Sequence, residues 1–119
     1  MTRDRQFEIA VLDGGALGAA AIDIATRRIV AGFAHDGLVR PALLDLLLGA
    51  VLPRGPLTWV CGGPPPSTAR ELMVAGTDRA LFCAVLDRGE LIVLAAPVAM
   101  SIALGWALVR NLAAAERTP

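Results

Sequence analysis

The chain has 119 residues, with 55% hydrophobic side chains, 18% charged ones and a mean hydropathy of +0.61. Eleven arginines balance eleven acids, and there is no lysine and no basic cluster, so the chain lacks the electrostatic footprint of a nucleic-acid or anionic-membrane binder. Its length supports a single domain over residues 1–119 with one hydrophobic core, but so little polar cover implies apolar surface buried against another chain.

The N-terminus, Met1 to Gln6, carries charges of both signs with no apolar run behind it, which is not the pattern of a signal peptide. Phe7, Ile9 and Val11 then alternate with Glu8 and Ala10, a strand pattern of period two that would add an extra N-terminal strand; the contiguous Ile9 to Leu12 also permits a short helix. Asp13-Gly14-Gly15 breaks this element. The Gly14 to Gly18 run lacks the Lys-Ser/Thr of a phosphate-cradling loop and the spacing of a dinucleotide fingerprint, so it reads as a turn.

From Leu17 to Ile24 the chain is small and apolar. Ala25 to Arg28 forms the tip of a hairpin that returns over Ile29 to Ala34. His35-Asp36-Gly37 closes the hairpin; adjacent residues at such a junction rarely converge on one substrate atom, so His35 and Asp36 read as turn or capping residues. A helix follows from about Leu38 to Leu52, with Pro41 in its first turn and Pro53 and Gly55 ending it. Its polar stripe is narrow, only Pro41, Asp45 and Gly49, and leucine, alanine and valine cover the rest. A helix resting on its own sheet needs an apolar arc of about 100°. This one has much more and is expected to be buried on two sides.

Leu57 to Cys61 has the composition of a short strand, and the three prolines in Gly62 to Ser67 make a loop. Glu71 to Ala75, the turn Gly76-Thr77-Asp78 and Ala80 to Leu86 read as a second hairpin, although Thr68 with Glu71 also matches a capping box that would start a helix. Asp87-Arg88-Gly89 is a further hairpin tip. Beyond it, the nineteen uncharged residues Leu91 to Val109 are long enough to span a bilayer. The run is nevertheless broken by Pro97, after which the larger side chains recur at helical spacing, along Val98, Ile102, Gly105/Trp106, Val109 and Leu112. No positive cluster flanks it. It therefore reads as a strand followed by a terminal helix, not a membrane span.

Chemistry-bearing residues are sparse. Ser67 and Ser101 have no nearby base, and Asp23, Asp78 and Asp87 fall at strand ends or turns, where aspartate is favoured. Cys61 and Cys83 sit in apolar context without further ligands and read as buried free thiols of a cytoplasmic protein. Trp59 marks either a contact surface or cover over the sheet, and Trp106 belongs to the core. Neither a catalytic constellation nor a cofactor or metal set is visible.

Hairpin-linked strands with intervening helices give an α+β domain on an antiparallel sheet. The run ELMVAGTDRALFCAVLDRGELIVLAAP from Glu71 to Pro97, with the alanine- and leucine-rich helix to Ala115, resembles the last three strands and last helix of roadblock-type domains, named after a dynein light chain. The Ala19 to Ala34 hairpin and the helix after it are similar to that family's first hairpin and middle helix, so the resemblance covers about Ala16 to Ala115 in layout and hydropathy. It implies a five-stranded antiparallel sheet with the middle helix on one face and the C-terminal helix on the other. It also implies a homodimer or heterodimer joined through the middle helix and neighbouring edge strand, here Leu43, Leu44, Leu47, Leu48, Val51, Leu72 and Val74. The implied role is non-enzymatic: a regulator or scaffold for a small Ras-like GTPase or a motor complex, with such a GTPase or another roadblock-like chain as partner. The chain departs from that family at its start, where roadblock domains usually open with a long amphipathic helix. From another class, the same layout admits a small-ligand sensor or enzyme on a profilin-like sheet, with Gly62 to Ser67 over a pocket.

Overall fold

The computed structural model describes residues 2–34, 38, 40–51, 71–86 and 89–117. Its first element is a helix, α1 (Arg3–Leu12), and not the extra strand suggested by alternation. The reason is local. Thr2 Oγ1 accepts a hydrogen bond from the Arg5 amide at 3.2 Å, capping the first turn, and Asp4 adds a favourable negative charge there. Five alternating residues satisfy both periods, and the burial of Phe7 and Ala10, three apart, is the helical choice.

Strands β1 (Gly18–Asp23) and β2 (Ile29–Phe33) form the first hairpin. Asp23 Oδ1 accepts from the amides of Ala25 and Thr26 at 2.9 and 3.3 Å, so the aspartate builds the turn it was expected to occupy. Helix α2 (Pro41–Val51) starts with its proline at the first helical position. Strands β3 (Glu71–Ala75), β4 (Arg79–Leu86) and β5 (Glu90–Pro97) follow; Glu71 opens a strand, so the capping-box alternative does not hold there. The last element is α3 (Ile102–Arg117).

The strands make one antiparallel sheet in the order β2-β1-β5-β4-β3. The central strand is therefore β5, covered on both sides. Leu91, Val93 and Ala95 face one way, into a cluster with Ala20, Ile22, Leu81 and Cys83 that is closed by Leu38, Leu44 and Leu47. Ile92, Leu94 and Ala96 face the other way, with Ala19, Ala21, Phe82 and Ala84, under Phe7 and Ala10 of α1 and Val109 and Leu112 of α3. The middle and C-terminal helices thus lie on opposite faces, and α1 shares the face of α3.

Helix α3 begins later than its periodicity suggests. The Met100 amide donates to the Pro97 carbonyl at 2.9 Å, closing a turn, and Ser101 Oγ then accepts from the Leu104 amide at 3.1 Å as the helix cap. Val98 and Ile102, expected on the buried stripe, are consequently 61% and 57% exposed. Inward-facing residues start at Gly105, where a methyl group would lie 2.4 Å from Phe82 Cζ. The Phe82 ring cannot retreat easily, since it meets Trp106 edge-on at a centroid distance of 5.2 Å and 85°. Replacing glycine by alanine in a helix normally gains about 0.8–1 kcal/mol, whereas forcing a methyl into a packed core costs about 1–3 kcal/mol. Gly105→Ala is thus expected to destabilise the chain by up to about 2 kcal/mol, read as a lower urea midpoint at unchanged slope.

Cys83 lies in the α2-side cluster, and burial pushes its thiol up to about 12. In a Cys61→Ser background, Cys83 should not react with a thiol reagent at pH 8 until the chain is unfolded. Because the folded thiol holds its proton at pH values where the unfolded thiol has lost it, stability should fall as pH rises above about 9 towards 12. A Cys83→Ala variant should lack that component in pH-dependent denaturation.

Candidate interaction surface

Helix α2 carries a single charge, Asp45, which is exposed and ion-paired with Arg27 of the β1–β2 turn. Leu44 and Leu47 point into the sheet and are 7% and 1% exposed. Leu43 stands at the rim of the same cluster, half-buried, and Leu72 and Val74 of β3 reach it from the sheet edge, also half-buried. The structure therefore gathers Leu43, Leu44, Leu47, Leu72 and Val74 on one face, with α2 lying over β3. Leu48 and Val51 are on α2, but their side chains fall outside the described residues.

The sheet has two edges, and they differ. At the β2 edge, the Gly32 amide faces away from β1 and donates to Asp4 Oδ1 of α1 at 3.0 Å, and α1 packs against the strand. At the β3 edge, the Gly76 amide donates to the Arg79 carbonyl at 2.8 Å, which sets the ladder phase. By antiparallel alternation, Val74 and Leu72 turn their backbone groups towards β4, whereas Glu71, Met73 and Ala75 turn theirs outwards. Two half-buried apolar side chains thus sit beside an outward row of hydrogen-bonding groups, the arrangement from which strand pairing starts.

The opposite face of β3 is tied to α3. Arg110 donates from Nε and Nη2 to the two carboxylate oxygens of Glu71 at 2.9 and 3.1 Å, and its guanidinium lies 5.3 Å from the centre of the Trp106 ring. Those hydrogen bonds hold the Glu71 carboxyl below its ordinary range, against the opposing effect of its slight burial. Trp106 is half-buried, so it bridges core and surface instead of lying wholly in the core. At the other end of the sheet, Arg3 Nη2 donates to Glu90 Oε1 at 2.7 Å, fastening α1 to β5.

Between α1 and α3 runs an apolar groove of about 370 Å³, lined in part by Ile9, Ala10, Leu108 and Leu112, and by Asp13 from the C-terminal end of α1. Nothing in the sequence marked it, because it arises where two distant helices meet. His35, Asp36, Trp59, Cys61, Ser67, Asp87, the expected strand Leu57 to Cys61 and the loop Gly62 to Ser67 lie outside the described residues. Among the described residues no helix is long and apolar enough to cross a membrane.

No protein-family model matches the sequence, and neither does any curated protein. Solved structures do match by shape. MglB of Myxococcus xanthus superposes with a TM-score of 0.71 at 13% identity, covering 94% of this chain and 82% of that one. The gliding protein MglB from Thermus thermophilus gives 0.68 at 16% identity, covering 93% and 82%. MglC from Myxococcus xanthus gives 0.65 at 18% identity over 96% of both chains. With its five-stranded antiparallel sheet between α2 and the α1–α3 pair, the chain has the fold of the roadblock-type domains.

Proposed function

We propose that the chain is a dimeric, non-catalytic regulatory or scaffold module of the cytoplasm that acts on a small Ras-like GTPase. The observation that carries this reading is the asymmetry of the sheet edges. At the β2 edge Asp4 takes the Gly32 amide and α1 packs against the strand, whereas among the described residues nothing bonds the outward backbone groups of β3 beside Leu43, Leu72 and Val74. A second copy pairing along β3 would satisfy those groups, place the two α2 helices side by side and use one patch twice, as two-fold symmetry requires. It would also cover the apolar surface implied by the chain's composition.

The GTPase assignment rests on the roadblock fold and on the sequence resemblance to that family. One of the similar structures is described as MglB in a tetrameric arrangement, so self-association occurs on this fold. The described residues add no arrangement of nucleophile and base that would favour an enzyme.

Light scattering should give twice the chain mass at micromolar concentration. Leu72→Lys and Val74→Lys, which place charge on the outer half of the cluster, should each weaken association at least tenfold, equivalent to about 1.4 kcal/mol, with circular dichroism unchanged. Leu44→Arg and Leu47→Glu are less informative, since both side chains are buried within one chain and a charge there should unfold it. A purified small GTPase should bind the dimer and lose affinity for the Leu72→Lys variant. A clean monomer would overturn the proposed assembly. Stabilisation of the isolated chain by nucleotides or metabolites, without any GTPase binding, would favour the ligand-sensor alternative.

A further inference from the structure

The α1–α3 groove lies on the sheet face opposite α2, away from the surface just discussed. We propose that it is a docking site for an amphipathic helix of a partner protein, one that brings apolar anchors at i, i+3/i+4 and i+7 and a lysine or arginine at the end that meets Asp13.

At Gly14, in the turn that follows α1, a methyl group would lie 2.5 Å from the Ala10 carbonyl oxygen of α1 itself and 2.7 Å from Leu108 Cδ2 of α3. A side chain here would press on the α1 backbone and on Leu108, so the glycine lets this turn lie against the groove wall. The apolar surface also continues beyond the cavity. Leu12, three residues after Ile9, is 61% exposed, and Leu104, four residues before Leu108, is 43% exposed. Such spacings keep each pair on one side of its helix. From Leu104 to Leu112 the strip runs about 12 Å at 1.5 Å per residue. A small metabolite would fill the cavity but leave Leu12 and Leu104 in water. Two turns or more of a partner helix would cover all of it.

Asp13 is the C-cap of α1, whose last turn contains no basic residue. Its carboxylate therefore adds to the negative end of the helix dipole, which is the unfavourable arrangement. Among the described residues the carboxylate has no partner, and of the side chains lining the groove it alone is ionisable. An apolar trough with one uncompensated negative end selects a ligand that is apolar along its length and positive at one end. The same charge disfavours an anionic bilayer. It also sets direction, because only one orientation of a helix with a single basic end satisfies Asp13.

The test uses the full chain and two labelled model helices, both with leucine at the anchor positions, one with lysine and the other with glutamate elsewhere. Fluorescence anisotropy should show the leucine–lysine helix binding at least tenfold more tightly than the leucine–glutamate helix. Amide shift changes in NMR spectra should centre on Gly14, Leu108 and Asn111. Asp13→Lys should reverse the preference, and Leu104→Glu, at an exposed position that should not disturb folding, should weaken binding several-fold. Equal affinity for both helices, no binding of either, or shift changes centred on α2 and β3 would each overturn the proposal. So would a change in oligomeric state in Leu104→Glu, which would make the groove a contact between copies of this chain.

Discussion

Everything in this structure depends on the burial of β5 on both faces. The six residues from Leu91 to Ala96 are all fully buried, alternating between two separate clusters, so neither face of the sheet can be left to water. Fully burying one valine, leucine or isoleucine contributes about 1.5–3 kcal/mol, and stripping cover from either face would forfeit several such contributions at once. One face takes α2. The other takes α3 with α1 beside it, and the small residues Ala19, Ala21, Ala80 and Ala84 let those helices approach closely. The same stretch that is apolar enough to suggest a membrane span is apolar because it is the middle of a two-sided core.

Closing both faces leaves the edges, and these are handled differently. Asp4 reaches the Gly32 amide from α1, so the N-terminal helix both fills the α3-side core through Phe7 and takes one outward amide of β2. On the other side, Arg110 clamps Glu71 and covers Trp106, fixing where β3 sits without occupying its outward backbone groups. A strand held firmly in register, with outward groups that no other described residue takes, is a better template for pairing than a loose one, because less ordering entropy is lost when a partner arrives. The proposed dimer and the proposed helix-docking groove lie on opposite faces, so one assembly could hold a second copy and a separate helical ligand together.

The sheet was largely legible in the sequence because its signals are local. Pro97 stops β5, the turn at Gly76 to Asp78 spaces β3 from β4, and Asp23 with the residues after it makes the first hairpin. Where sequence and structure part, the signals are too short to decide between periods. Five alternating residues suggest a strand at α1 although Thr2 is present as a cap, and the apolar stripe after Pro97 hides Ser101 as the start of α3. The candidate surface was less legible for another reason. In a helix apolar nearly all round, periodicity cannot say which leucines face the sheet, so Leu44 and Leu47, which are buried within the chain, could not be told from Leu43 at the rim. The Asp4–Gly32 bond and the α1–α3 groove join residues far apart in sequence and leave no local trace.

In the proposed assembly the outward Gly32 amide of β2 is bonded within one chain, while the outward groups of β3 are bonded by a second. Amide hydrogen exchange measured at two chain concentrations, one above and one below the dissociation midpoint, addresses it directly. The account predicts that the Gly32 amide is equally protected at both concentrations, whereas the outward amides of Met73 and Ala75 exchange quickly when dilute and slowly when concentrated. Concentration-dependent protection at Gly32, with Met73 and Ala75 unaffected, would contradict it.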